Sequence, residues 1–193
     1  MYIAIEGIDT EGKSTQIECL KSLFPEAVYT KEPGGTPVGV EIRSMVLHGE
    51  LKSKMAELLL FLADRAEHTE SIILPNINSL IISDRSTVSG VAYALVQDIC
   101  DIKTLVSLNT LATGGKLPEK VFILKLSPQE LANRLSQKEH DVIESRGINY
   151  LLNIQEALIK ASQALGIQTF VIDASQSIDT ITNEIADLIK GNE

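Results

Sequence analysis

Five short apolar runs, rich in β-branched residues, punctuate the chain at 2–6, 27–30, 79–84, 120–126 and 168–173. In the third (Leu80-Ile81-Ile82) and fourth (Val121-Phe122-Ile123-Leu124) the apolar residues are continuous rather than alternating. Parallel strands covered on both faces require that pattern. Between the runs the apolar spacing switches to the three-to-four-residue period of helices. It predicts helices at 38–47, 53–74, 89–96, 102–112, 128–137, 149–165 and 177–190. This strand–helix alternation predicts a three-layer α/β fold, a five-stranded parallel sheet flanked by helices. With no internal repeat, low-complexity tract or linker, residues 1–193 read as a single domain.

In such a sheet ligands gather at the carboxyl ends of the strands. Asp9, Lys31-Glu32, Asp84-Arg85 and Asp173 follow their apolar runs and therefore converge on one cleft. The first run leads into Gly7-Ile8-Asp9-Thr10-Glu11-Gly12-Lys13-Ser14-Thr15, a strand entering G-x-x-x-x-G-K-S, with an amphipathic stretch after it. That is a P-loop: Gly7 and Gly12 permit a tight wrap whose amides point at phosphate oxygens. Lys13 adds an ammonium for the outer phosphates, and the Ser14 hydroxyl suits Mg²⁺. The helix that starts near Lys13 directs its positive end at the same anion. Asp84 closes the third run as a carboxylate able to hold Mg²⁺, directly or through water, beside Ser14. Arg85 follows with a planar guanidinium that can grip donor and acceptor oxygens together. Thr30-Lys31-Glu32-Pro33-Gly34-Gly35-Thr36-Pro37 reads as a rigid turn exposing backbone amides.

Charge and composition narrow the partners. The formal net charge of −9 and the lack of a basic stripe argue against a nucleic-acid backbone. Each cation near the cleft is correspondingly informative. No apolar stretch approaches a membrane span, and the chain enters its first strand without a charged leader, so a cytoplasmic location is expected. Cys19 and Cys100 lack metal-ligand spacing and are too few for a disulfide framework.

Taken in order, several motifs resemble the bacterial thymidylate kinases, P-loop nucleoside monophosphate kinases. They are Glu6-Gly7-Ile8-Asp9 with Gly12-Lys13-Ser14-Thr15-Gln16; Thr30 to Thr36; Phe61-Leu62-Ala63-Asp64-Arg65-Ala66-Glu67-His68; Asp84-Arg85 through Ser89 and Ala92-Tyr93; Asp141-Val142-Ile143-Glu144; and Asp173-Ala174-Ser175. The resemblance spans nearly the whole chain. It implies a P-loop NTPase fold with a short lid at about 134–148, and ATP-dependent phosphorylation of dTMP with Mg²⁺. It also implies a homodimer formed through the long helices. Gly7 to Thr15 and Ala174 would contact ATP, and Ser14, Asp84 and Asp9 the metal. Asp9, Glu32, Arg43, Phe61, Arg65, Arg85 and Tyr93 would bind dTMP. Phe61 would stack on thymine, Arg65 would reach a thymine carbonyl, and Tyr93 would lie near the sugar 2′ position. Lys13, Arg85 and Arg134 would be catalytic. From pattern alone, Phe61 reads as a core aromatic and Arg43 as a surface helix charge.

The sequence also departs from the family. Lys31 stands where arginine is usual and loses the bidentate fork. Ser86, Gly90 and Ala94 occupy positions that commonly read the base, so recognition leans on Phe61 and Arg65. Thr10 and Glu11 leave the P-loop without an arginine, and Val142 replaces one in the lid. Arg134, Lys138 and Arg146 are the strong cations left there, with Arg134 the favoured one. A missing transition-state cation lowers rate by ~10²-fold or more. Two alternatives stay open: a kinase for another pyrimidine nucleotide or a nucleoside, and a P-loop ATPase that switches a protein partner.

Overall fold

Five parallel strands form one sheet in the order β2-β3-β1-β4-β5. They are β1 (Tyr2–Glu6), β2 (Val28–Lys31), β3 (Ile81–Asp84), β4 (Lys120–Lys125) and β5 (Gln168–Asp173). The computed structural model describes residues 1–9, 11–49, 51–136 and 147–191. Ile3, Ile5, Ile82, Val121, Phe122 and Ile123 are fully buried, because helices cover both faces of the sheet. Phe122 and Phe170 stack across β4 and β5 with centroids 5.4 Å apart. Register brings the strand ends level, with Asp84 opposite both Ile5 and Lys31. The residues beyond those ends therefore share one edge of the molecule.

The helices are α1 (Lys13–Leu23), α2 (Pro37–His48), α3 (Lys54–His68), α4 (Thr87–Val96), α5 (Ile102–Ala112), α6 (Pro128–Leu135), α7 (Ile148–Ala164) and α8 (Ile178–Lys190). Side chains of Thr36, Ser53, Ser86, Asp101, Ser127 and Ser177 cap six of them by accepting N–H groups of the first turn. α1 and α7 differ, a glycine preceding each and no side chain capping it; at α1 this leaves the first amides beside the P-loop for an anion.

Two expectations shift. The helix expected over 53–74 ends at His68 and continues as a wide π-type turn, Thr69–Ile73, and a tight turn, Leu74–Asn76. Pro75 has no N–H to carry a helix onward. α4 begins two residues before the expected start, because the Ser86 hydroxyl accepts the Val88 N–H. Most of the expected lid, 137–146, lies outside the described residues. Among the described residues, no helix is long and apolar enough to cross a membrane.

Candidate active site

β1 delivers its backbone into the P-loop, where Gly12 takes the left-handed φ of 84°. Lys13 is buried; its ammonium donates to the Ile8 carbonyl at 2.9 Å and lies 3.5 Å from Asp9 Oδ1. Burial and then the Arg85 charge bring its pKa down to about 8. Glu11 folds beneath the loop and accepts the Ile8 N–H at 2.6 Å; burial pushes its carboxyl up to about 8. Ser14 and Asp84 line the same cleft, and Asp84 Oδ1 is buried without a hydrogen-bond partner among the described residues.

Arg85 follows β3 with a left-handed φ of 68°, uncommon for a residue with a Cβ. Its N–H donates to the Ile5 carbonyl, and the Ser83 hydroxyl donates to the Arg85 carbonyl. The guanidinium donates to the Gly7 carbonyl (2.9 Å), Ser89 Oγ (3.2 Å) and Asp9 Oδ1 (2.6 Å). Burial works to raise the Asp9 pKa, but Arg85 and Lys13 hold it below the usual carboxylate range. Behind Arg85, the hydroxyls of Ser86 and Ser89 donate to Glu6 at 2.7 and 2.5 Å, and burial raises the Glu6 pKa. Arg85 also sits over the Tyr93 ring, 5.6 Å from its centroid; burial pushes the Tyr93 phenol up to about 12.

Past β2, Glu32 is buried between two partners. Its carboxylate accepts Arg65 Nε–H at 2.8 Å and pairs with His68 Nδ1 at 2.8 Å. Burial alone would raise its pKa, yet Arg65 and His68 hold it down. His68 Nε2 meets Thr30 Oγ1 at 2.6 Å, and Arg65 Nη1 donates to Asn109 Oδ1 at 2.7 Å. Among the described residues, both N–H groups on Arg65 Nη2 and one on Nη1 have no protein acceptor. They face Gly90, where a Cβ would stand 2.7 Å from each terminal nitrogen.

Two connected spaces result. A polar one of about 480 Å³ is lined by Gly12, Lys13, Ser14, Thr15, Lys31 and Asp84. A more apolar one of about 250 Å³ is lined by Leu58, Phe61, Arg65, Gly90, Tyr93 and Ala94. Asp9, Glu32, Arg43 and Arg85 line both. Phe61 is thus a pocket wall rather than a core aromatic, and Arg43 is a cleft cation whose Nη1 donates to the Pro33 carbonyl at 3.1 Å.

Arg134 stands apart from the phosphate cleft. Its Nη2 donates to the Ala174 carbonyl at 2.7 Å and its Nε to Glu130 at 3.2 Å, beside the exit of β5. Thr10, Lys138 and Arg146 lie outside the described residues. Sequence reasoning missed Glu6, Ser89, His68 and Asn109 as supports. A carboxylate ending an apolar strand, and serines three apart after Asp84-Arg85, were the available signals for the first two. Ser86, at a position that commonly reads the base in the family, is here a buried helix cap bonded to Glu6.

The profile of the thymidylate kinase family matches residues 5–185. The chain is 60% identical over 185 residues to a thymidylate kinase of Sulfurimonas denitrificans, covering 96% of this chain and 97% of the relative. It is 52% identical to that of Aliarcobacter butzleri, with 98% of each covered. The crystal structure of thymidylate kinase from Ehrlichia chaffeensis superposes with a TM-score of 0.75 at 25% identity, covering 98% of both chains. With a P-loop, an Asp-Arg strand end and an Arg-lined apolar pocket on one sheet edge, the chain belongs to the thymidylate kinase family.

Proposed function

We propose that the two spaces hold the two substrates of one phosphoryl transfer, ATP over the P-loop and dTMP in the apolar pocket. The chain is an ATP-dependent kinase that phosphorylates dTMP to dTDP. The observation that carries the placement is the shared wall of Asp9, Glu32, Arg43 and Arg85. Two anionic phosphates need cations where they meet, and Arg85 and Arg43 stand there.

A 5′-phosphate oxygen of dTMP attacks the γ-phosphorus in line and ADP leaves. The acceptor is already anionic, so positioning and charge supply most of the catalysis. Arg85, held by Gly7, Ser89 and Asp9, grips oxygens of both phosphates. Lys13 exchanges the Ile8 carbonyl for phosphate oxygens. The orphaned Asp84 oxygen beside the exposed Ser14 hydroxyl fits a hard divalent cation. Ser14, Asp84 and Asp9 would hold Mg²⁺, which neutralises charge on the phosphate oxygens. In the acceptor pocket Arg65 offers its free N–H groups to a thymine carbonyl, Phe61 stacks on the ring, and Tyr93 borders the sugar. Ala174 and Arg134 take the adenine side.

A nucleoside acceptor would need a general base. Asp9 is a poor one, being tied to Arg85 and Lys13 with its pKa lowered. In this reading the enzyme is a cytoplasmic homodimer formed through α2 and α3, whose Val38, Met45, Met55 and Leu59 are exposed. Sedimentation checks the dimer. The test of function is ADP formation from ATP with dTMP, dUMP, dCMP or thymidine offered separately. Turnover is expected with dTMP foremost, and strong ATP hydrolysis without an acceptor would refute the reading.

A further inference from the structure

We propose that Glu11 and Gln155 form a buried latch that fixes the P-loop against the end of β4 and α7. Glu11 is then a positioning residue for the donor nucleotide. The proposal rests on the P-loop being the ATP site.

Glu11 occupies a variable position of G-x-x-x-x-G-K-S, yet its side chain does not enter the cleft. It is 2% exposed and folds beneath the loop. Oε2 accepts the Ile8 N–H at 2.6 Å, and a Cβ on Gly7 would collide with it. The charged groups it faces are Lys13 and Arg85. The Leu126 amide just past β4 lies near enough to the same carboxyl to stabilise its charge. That amide donates to Gln155 Oε1 on α7 at 2.8 Å. Gln155 holds that amide, and Glu11, from a distant part of the chain, lies beside it.

Each has one buried atom left over. Glu11 Oε1, an acceptor, and Gln155 Nε2, a donor, have no partner among the described residues. Buried polar atoms are rarely left so, because their lost hydration is not replaced. The latch pairs these two atoms, with Glu11 Oε2 still accepting from Ile8 and Gln155 Oε1 from Leu126. The latch matters during binding. Ile8 is held twice, at its N–H by Glu11 and at its carbonyl by Lys13. Lys13 must leave that carbonyl to reach a phosphate, and Glu11 then keeps the first turn of the loop in place.

The full-length enzyme is tested with Gln155→Glu, Glu11→Gln and the double swap, by ATP titration calorimetry, KM for each substrate and thermal melts. Gln155→Glu removes the Nε2 donor and sets a second buried carboxyl group beside Glu11. It is expected to raise the KM for ATP about tenfold or more, with the KM for dTMP within about twofold. Adding Glu11→Gln recovers most of that loss, because the new carboxamide accepts from Ile8 and donates to the new carboxylate. A swap no better than Gln155→Glu alone, or a KM for dTMP that rises in step with that for ATP, overturns the latch. So does an unchanged KM for ATP in Gln155→Glu. If Gln155→Glu alone fails to fold, the swap decides: folded with near-parent ATP affinity supports the latch, and unfolded or weak for ATP refutes it. A parent enzyme that binds no ATP would instead remove the P-loop assignment beneath it.

Discussion

Gly90→Ala isolates the acceptor pocket with one methyl group. Gly90 lies in α4, and a Cβ there would stand 2.7 Å from both terminal nitrogens of Arg65 and 2.9 Å from its Cζ. Ordinary contact needs roughly 1 Å more, so the guanidinium must move. It is not free to do so: Glu32 holds Nε at 2.8 Å and Asn109 holds Nη1 at 2.7 Å. A shift of that size weakens about one charge-assisted hydrogen bond, ~1.5–3 kcal/mol. It also displaces the N–H groups proposed to meet thymine. The helix itself gains about 1 kcal/mol from exchanging glycine for alanine. Global stability should therefore fall by about 0.5–2 kcal/mol with the fold kept, whereas the KM for dTMP rises on the order of 10- to 100-fold.

The assay is steady-state ADP formation with dTMP varied at saturating ATP, then the reverse, alongside a thermal melt. An unchanged KM for ATP with a raised KM for dTMP is the expected split. If the KM for dTMP stays at the parent value, Arg65 does not read the acceptor. A Tm that collapses together with both KM values would show that the Glu32–Arg65–Asn109 set is only a structural clamp.

Two other perturbations address separate parts of the cleft. Arg85→Ala should lower kcat by ~10³-fold or more while leaving far-UV dichroism unchanged. Because Arg85 sits at a φ of 68°, Arg85→Gly should be equally inactive but more stable than Arg85→Ala by up to ~1 kcal/mol in urea titrations; an Arg85→Gly clearly less stable than Arg85→Ala would refute the strain argument. Glu32 has a folded pKa held below the ordinary 4.5, so its stabilisation is present above that value and lost as pH falls through the folded one. Melts from pH 7 to 3 should show Glu32→Gln less stable at neutral pH and flatter below pH 4.5, and parallel curves would contradict this.

Residues whose neighbours lie close in sequence, or whose place is set by strand geometry, were legible. The five strands lie within two residues of expectation: β1, β3 and β4, buried in the middle of the sheet, leave nearly unbroken apolar runs, and the partly exposed edge strands β2 and β5 keep short β-branched and aromatic ones. Asp9, Asp84 and Arg85 followed from the rule that strand ends converge. Gly90 was not legible, since a glycine within an apolar helix reads as a weak spot until Arg65 is seen filling the space. Asn109 was equally hidden: 44 residues separate it from Arg65, and no periodicity encodes a pair that meets through space. The π-type turn after His68 escaped because the apolar pattern runs on past it. Phe61 shows the limit from the other side, as helical spacing marks a buried face without saying whether protein or ligand covers it.

The loop without an arginine is better supplied than its motif suggests. Lys13, Lys31, Arg43 and Arg85 line the polar space together. They are not equivalent. Arg85 is fixed in advance by Gly7, Ser89 and Asp9, and Glu6 fixes Ser89 in turn. A cation already in place stabilises developing charge without reorganising at the moment of transfer. Lys13 is bonded to a carbonyl it must give up, and its lowered pKa reflects burial and the neighbouring Arg85. An arriving triphosphate reverses that penalty by supplying negative charge. In the proposed reading, donor binding therefore completes the cation set instead of meeting it ready-made.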